Sequence, residues 1–181
     1  MIFSETDLAG AYIVDLEPYR DDRGFFARTY CQSEFEQIGH NKPFVQINHS
    51  CTVQKGTIRG MHYQLFPNAE IKLIRCISGE VYDVIVDIRK GSPTFLKFFG
   101  VILSPENMRM IYVPEGFAHG FQTLKEDTQL LYHHTAFYSP QDERGLHFKD
   151  PVIGIDWPIE AANISSRDRQ QTFIDNSFTG I

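Results

Sequence analysis

The chain has 181 residues, enough to build one domain around its own core without disulfide or metal staples. At 42% hydrophobic and 22% charged it is neither disordered nor a coiled coil, and its longest apolar runs are too short to cross a bilayer. A net charge of −6 argues against broad nucleic-acid binding, while leaving room for a small anionic ligand held by local arginines.

Strand-like runs dominate in chain order. Ala11–Val14 and Gly24–Tyr30 come first, the second entered through the turn Asp22-Arg23-Gly24. Ser33-Glu34-Phe35-Glu36 then has the form of a capping box, with Ser33 as N-cap and Gly39 as the stop, and predicts a peripheral helix of about two turns. Ile71–Ile77, Val81–Ile88, Leu96–Leu103, Arg109–Val113, Gly120–Leu124 and Thr128–Tyr138 follow as strands. They are separated by Ser78-Gly79, Gly91-Ser92-Pro93, Ser104-Pro105-Glu106-Asn107 and Pro114-Glu115-Gly116. A second short helix is expected near Ser166–Thr172. No repeat or linker interrupts the series, so residues 1–181 read as one domain. Short strands with a turn about every ten residues predict a sandwich or barrel, and 15 Phe with 8 Tyr suit a β-rich core, an aromatic-lined pocket, or both. The opening residues MIFSETDLAG lack the basic and apolar regions of a signal peptide, and the three cysteines have no CxxC spacing. A disulfide framework or cysteine zinc site is therefore not expected, and a reducing cytoplasm is.

The clearest strand is Val81–Ile88. Tyr82, Val84, Val86 and Ile88 share a wholly apolar face, whereas Val81, Asp83, Ile85 and Asp87 share the other. That second face fits either the wall of a polar cavity or a solvated sheet surface.

Most of the chemistry lies in two histidine segments. The first is Gly56-Thr57-Ile58-Arg59-Gly60-Met61-His62-Tyr63-Gln64, with Glu70 beyond it, and the second is Pro114-Glu115-Gly116-Phe117-Ala118-His119-Gly120. They resemble the paired motifs of the cupins, small jelly-roll barrels whose metal-binding members set two histidines at i and i+2 on one strand face. Here the i+2 position is Gln64, a poor ligand for a first-row metal, so a metal centre built on His62, Gln64, Glu70 and His119 is the weaker reading. Arg59, Tyr63 and Gln64 crowd around His62, and such polar density within a β pattern is expensive unless the strand faces a ligand. His119 alternates with Phe117 and Phe121, which leaves it either structural or ligand-facing, while Gly116 and Gly120 permit close backbone approach.

More specifically, the chain resembles the dTDP-4-dehydrorhamnose 3,5-epimerase family, metal-free cupins acting on deoxysugars. The resemblance runs through Asp22-Arg23-Gly24-Phe25-Phe26, Val45-Gln46-Ile47-Asn48-His49-Ser50, the first histidine segment and Lys72-Leu73. It continues through Gly79–Val84, Val86–Arg89, Ser92–Phe95, Leu103–Asn107, the second histidine segment, Tyr132, Tyr138, Asp150-Pro151 and Ile155–Pro158. Any one block is weak, but so many in order are specific.

The resemblance implies an all-β cupin-type jelly-roll barrel with a few short peripheral helices. It implies an isomerase that epimerises a nucleotide-linked 4-keto-6-deoxyhexose at C3, C5 or both, with no cofactor and no metal. Carbons flanking a ketone carry acidic hydrogens, so the reaction needs a base, an enolate stabiliser and an acid on the opposite face. By match to the family these are His62 as base, Asp168 of Ser165-Ser166-Arg167-Asp168 as its orienting partner, Lys72 as stabiliser and Tyr132 as acid. Asp83 is the alternative partner for His62. Arg23, Arg59 and Arg167 match pyrophosphate contacts; Gln46, Asn48 and His119 match polar contacts; Phe26 and Tyr138 match the platform for thymine. The implied partners are a dTDP-linked sugar and a second copy of the chain that shares residues across a homodimer, with neither nucleic acid nor membrane. The sequence departs from the family at Arg28, commonly Glu, at Met61, usually Leu, at His133-His134, usually a Lys-containing pair, and at Phe148, frequently Trp. The first of these bears on nucleotide preference or a subunit contact.

Overall fold

A computed structural model describes residues 1–181. Fourteen strands are present: β1 (Ile2–Glu5), β2 (Tyr12–Asp15), β3 (Tyr19–Asp21), β4 (Gly24–Phe26), β5 (Gln46–Thr52), β6 (Thr57–Gln64) and β7 (Lys72–Ser78). They continue with β8 (Val81–Asp87), β9 (Phe98–Leu103), β10 (Arg109–Val113), β11 (Phe117–Thr123), β12 (Thr128–His134), β13 (Glu143–Gly145) and β14 (Asn163–Ile164). One sheet has the order β1-β2-β10-β7-β12-β5; the second has the order β13-β6-β11-β8-β9, with β14 parallel to β6; β3 and β4 form a separate hairpin. Apart from β14, every pairing is antiparallel. Two facing sheets with non-sequential neighbours are the jelly-roll architecture that the resemblance implies.

Alternation explains the layers. Ile74, Cys76, Ile111 and Leu130 of the first sheet meet Val81, Ile85, Phe117 and Phe121 of the second in a buried interior cluster. Each fully buried side chain of this kind contributes about 1.5–3 kcal/mol. The outer face of the second sheet, including Met61, Val84, Val86 and Ala118, is covered by Leu146, Ile153, Trp157, Ile174 and Phe178 of the C-terminal segment. The outer face of the first sheet, including Val14, Leu73 and Met110, is covered by Phe35 and its aromatic neighbours. On β8 the mixed face proves to be interior, because Asp83 and Asp87 are both fully buried.

Helix is sparse. The first, α1, spans Gln32–Phe35 and runs into a 3-10 turn at Glu36–Ile38 that ends on Gly39 at φ +77°. Gly39 is thus the stop that the sequence predicts, but the N-cap is Cys31 rather than Ser33, and no capping box forms. Ser33 lies inside the first turn, where its hydroxyl meets Cys31 Sγ instead of a backbone amide. The second helix, α2, is Ser166–Arg169, shorter than expected, and Ser165 caps it by accepting from the Asp168 amide at 3.0 Å.

Some strand ends also differ. The expected strand Gly24–Tyr30 stops at Phe26, and Thr128–Tyr138 stops at His134. Beyond His134 the ladder is replaced by single bonds, Thr135 N–H to Ile71 O at 3.1 Å and Tyr138 N–H to Gln46 Oε1 at 3.1 Å. The strand expected at Gly120–Leu124 starts earlier, at Phe117, immediately after the Pro114–Gly116 turn.

Two glycines set the spacing between β6 and β11. A Cβ on Gly60 would lie 2.6 Å from Gly120 Cα, and one on Gly120 would lie 2.8 Å from Arg59 O. No other residue allows the two backbones this close. Their approach brings His62 and His119 into direct register, just before the pairing shifts between His119 and Phe121.

Candidate active site

Between the sheets the apolar core fills only part of the interior. The remainder is a cavity of about 610 Å³ lined by His62, Lys72, His119, Tyr132, Asp168 and Arg59 among others. Its size and its mixture of apolar wall and convergent polar groups suit a small-molecule site.

His62 comes from β6, and its side chain is 29% exposed. Its Nε2–H donates to Asp168 Oδ1 at 2.7 Å, which leaves Nδ1 as the basic nitrogen. The Gly60 amide donates to Asp168 Oδ2 at 3.3 Å. Burial alone would raise the Asp168 carboxyl, but the His62 bond and charge, together with the Gly60 amide, hold it below the ordinary aspartate range. Asp168 is only 3% exposed, because the Ser165 cap turns α2 onto β6.

Asp83 is committed elsewhere. His119 Nε2 lies 3.0 and 2.9 Å from its two oxygens, and burial pushes that carboxyl up against the opposing pull of His119. The partner of His62 is therefore Asp168, and the alternative, Asp83, belongs to His119.

The facing wall is built by β7, β12 and β5. Tyr132 is partly buried and lies 3.1 Å from the Ser50 hydroxyl. Burial raises its phenol, with Ser50 opposing, so the hydroxyl stays protonated at neutral pH. The Lys72 ammonium sits 3.2 Å from Glu70 Oε1, and Glu70 Oε2 lies 2.7 Å from His134 Nδ1. Burial would raise Glu70, but His134 and Lys72 outweigh it and keep the carboxylate ionised.

At the rim, Arg167 and the Tyr138 hydroxyl both meet Glu143 Oε2 at 2.6 Å. Arg59 is braced by Nε donation to Thr52 Oγ1 at 3.0 Å. Asn48 accepts from Gln46 Nε2 at 3.2 Å, and of the two only Asn48 lines the cavity. Arg23 and Phe26 are different: they lie on the exposed β3–β4 hairpin outside the cavity, with Phe26 72% exposed and Arg23 paired to Asp21. Gln64 has its amide engaged by Asn68 O at 2.8 Å and by the Ser139 amide at 2.7 Å, and Glu70 turns to Lys72 and His134. No three His, Cys, Asp or Glu side chains converge as a metal set. The residues of the metal-centre reading are thus divided among separate hydrogen-bond partners.

Several cavity residues lie outside the sequence reading of the site. Ser50 and His134 could have been found by alternation, since each is two residues from a candidate on the same strand, Asn48 and Tyr132. Glu143 carries no such signal, because β13 is only three residues long.

Comparison with known proteins agrees with this geometry. The profile of the family described as dTDP-4-dehydrorhamnose 3,5-epimerase matches residues 5–176. The dTDP-4-dehydrorhamnose 3,5-epimerase of Shigella flexneri is 45% identical over 176 residues, covering 96% of this chain and 97% of that protein. Among solved structures, the dTDP-4-dehydrorhamnose 3,5-epimerase of Bacillus anthracis, with TDP and PPi bound, superposes with a TM-score of 0.92 at 40% identity, covering 96% of this chain and 99% of that one. The dTDP-6-deoxy-D-glucose-3,5-epimerase of Legionella pneumophila, in complex with dTDP-4-keto-L-rhamnose, gives a TM-score of 0.92 at 39% identity, covering 99% and 97%. With its jelly-roll sheets, its paired histidine strands and a family match over nearly its whole length, the chain belongs to the dTDP-4-dehydrorhamnose 3,5-epimerase family.

Proposed function

We propose that the chain converts dTDP-4-dehydro-6-deoxy-D-glucose to dTDP-4-dehydro-L-rhamnose by inverting C3 and C5. His62 Nδ1 takes the proton from a carbon beside the ketone, and Asp168 holds the imidazole in the required tautomer through Nε2–H. The electron pair of the broken C–H bond moves onto O4, where the Lys72 ammonium stabilises the enolate. Tyr132 returns a proton to the carbon from the opposite face as the C4 ketone re-forms from the enolate; His62 then gives its proton to solvent and Tyr132 regains one from it, which resets both groups for a second round at the other carbon that completes the product. No atom is gained or lost overall. The one observation that carries this reading is that a single cavity is lined by the His62–Asp168 pair, Lys72 and Tyr132 together.

Arg59, Arg167, His119, Asn48, Gln46 and Tyr138 serve the nucleotide and sugar in this reading. Arg23 and Phe26 serve a neighbour's cavity within a homodimer, which accounts for their exposure on the hairpin. The chain acts as one domain in the cytoplasm; no helix is long and apolar enough to cross a membrane.

The test is incubation with dTDP-4-keto-6-deoxyglucose in heavy water. Deuterium at C3 and C5 is expected. Label at C3 alone would reassign the chain as a 3-epimerase, and no label at either carbon would reject the reading.

A further inference from the structure

Lys72 does not stand alone in the cavity wall. It closes a line of hydrogen bonds whose direction can be read from one end to the other. The backbone N–H of Tyr138, which can only donate, gives to Gln46 Oε1 at 3.1 Å. That fixes the Gln46 amide, so its Nε2 donates to Asn48 Oδ1 at 3.2 Å. The Asn48 amide is fixed in turn, and its Nδ2 faces His134 Nε2 at 3.3 Å. An amide nitrogen donates and does not accept, so His134 Nε2 must be the bare nitrogen. The ring proton then sits on Nδ1 and is donated to Glu70 Oε2 at 2.7 Å. The other oxygen of Glu70 holds the Lys72 ammonium at 3.2 Å.

The members near Lys72 are shielded from water: the side chains of Glu70, Lys72 and His134 are 9%, 11% and 11% exposed. His134 is also the register partner of Lys72 across β12 and β7, and its ring stacks on Tyr132 at 6.2 Å between centroids. A long lysine side chain has many rotamers, and nothing else in the cavity wall pairs with its ammonium.

We propose that Glu70 and His134 are positioning residues, and that the one-way chain from the Tyr138 backbone through Gln46, Asn48, His134 and Glu70 aims the Lys72 ammonium at the substrate ketone. The proposal rests on the epimerase reading for what Lys72 does. It adds that the rim, where Tyr138 lies, and the enolate-stabilising group are joined by a single polarity of hydrogen bonds. His134 is neutral in that chain, with its proton on Nδ1. Charging Nε2 would set two donors against each other at Asn48.

Two substitutions and one spectroscopic measurement test this. Glu70→Gln keeps the volume and an acceptor for His134 but puts no charge against Lys72. His134→Phe keeps the ring stacked on Tyr132 and removes both nitrogens. Each is expected to lower kcat by about ten- to a hundredfold through misplacement of the ammonium, with KM within about threefold of wild type and the melting temperature little changed. Glu70→Asp, which restores the charge, should recover part of the loss. Unchanged kcat in both substituted proteins, or KM and kcat worsening together with the melting temperature, would overturn the proposal. Independently of turnover, nitrogen-15 spectra of the histidine-labelled resting protein at neutral pH should show His134 protonated on Nδ1 and bare on Nε2. The opposite tautomer, or a doubly protonated ring, would also overturn it. Wild-type protein that fixes no deuterium at all refutes the epimerase reading instead, and the tautomer still decides whether the chain of bonds has the stated direction.

Discussion

His62 with Asp168 and His119 with Asp83 are the same two functional groups, carried on histidines that are register partners on neighbouring strands. Their surroundings differ. Asp168 also receives the Gly60 amide, and its imidazole reaches into the cavity at 29% exposure. Asp83 is fully buried, both of its oxygens are turned to one nitrogen of His119, and His119 is itself 6% exposed. The result is opposite shifts: the Asp168 carboxyl is held low and the Asp83 carboxyl is pushed high. An imidazole alone does not offset the burial of a carboxyl as deep as Asp83, whereas at Asp168 the Gly60 amide and Ser165 add to the imidazole. In the proposed reaction the first pair transfers the proton, whereas the second anchors the cavity wall from which His119 serves the ligand.

The largest effect expected from this contrast is at His62. His62→Ala should lower deuterium exchange at C3 and C5 by about a thousandfold or more and leave the circular dichroism spectrum intact. If His62→Ala exchanged normally while His119→Ala did not, the two roles would have to be reversed. Asp168→Asn should come next, with exchange reduced about a hundredfold, since the amide no longer selects the imidazole tautomer. Its melting temperature should change little compared with the variant that follows.

His119→Ala should act through stability, because it leaves a carboxylate buried without its partner. A loss of about 3–5 kcal/mol is expected, read as a fall of roughly 10 °C in melting temperature. The smallest effect is the sharpest on mechanism. Asp168 is depressed in the fold, so its contribution is present above the ordinary aspartate value and disappears as pH falls below about 4. Asp83 is raised by burial, with His119 and Lys72 the titratable groups facing it, so its contribution is present at low pH and disappears as pH rises through its folded value. Stability measured against pH should therefore diverge in opposite directions from wild type for Asp168→Asn and Asp83→Asn. Parallel curves would mean that the two carboxyls share one environment.

Alternation made much of the fold legible. Val81–Ile88 revealed a strand with one apolar face, and the structure resolved its other face in favour of the interior, where Asp83 and Asp87 are fully buried. The helix starts at Cys31 rather than at Ser33 because a Ser–Glu pattern is only local, and the Ser33 hydroxyl pairs with Cys31 Sγ. At the site, the roles given to His62, Lys72, Tyr132 and Asp168 all rest on the family resemblance, and Asp168 has the least local signal of its own, since it sits more than a hundred residues from its partner. From the sequence Glu70 reads only as a metal ligand. Its bond to His134 depends on a contact across 64 residues that no local pattern encodes.

Asp168 has one more consequence, through its place along the polypeptide. All strands of the two main sheets precede it, and it arrives on α2 after the last of them, β14. The imidazole and the carboxylate it donates to are thus supplied by distant parts of the chain, 106 residues apart, and meet only when α2 is seated on β6. A chain shortened before Ser165 lacks that carboxylate and also the Ile174 and Phe178 cover of the second sheet, so the orientation of the imidazole and part of the packing are lost together.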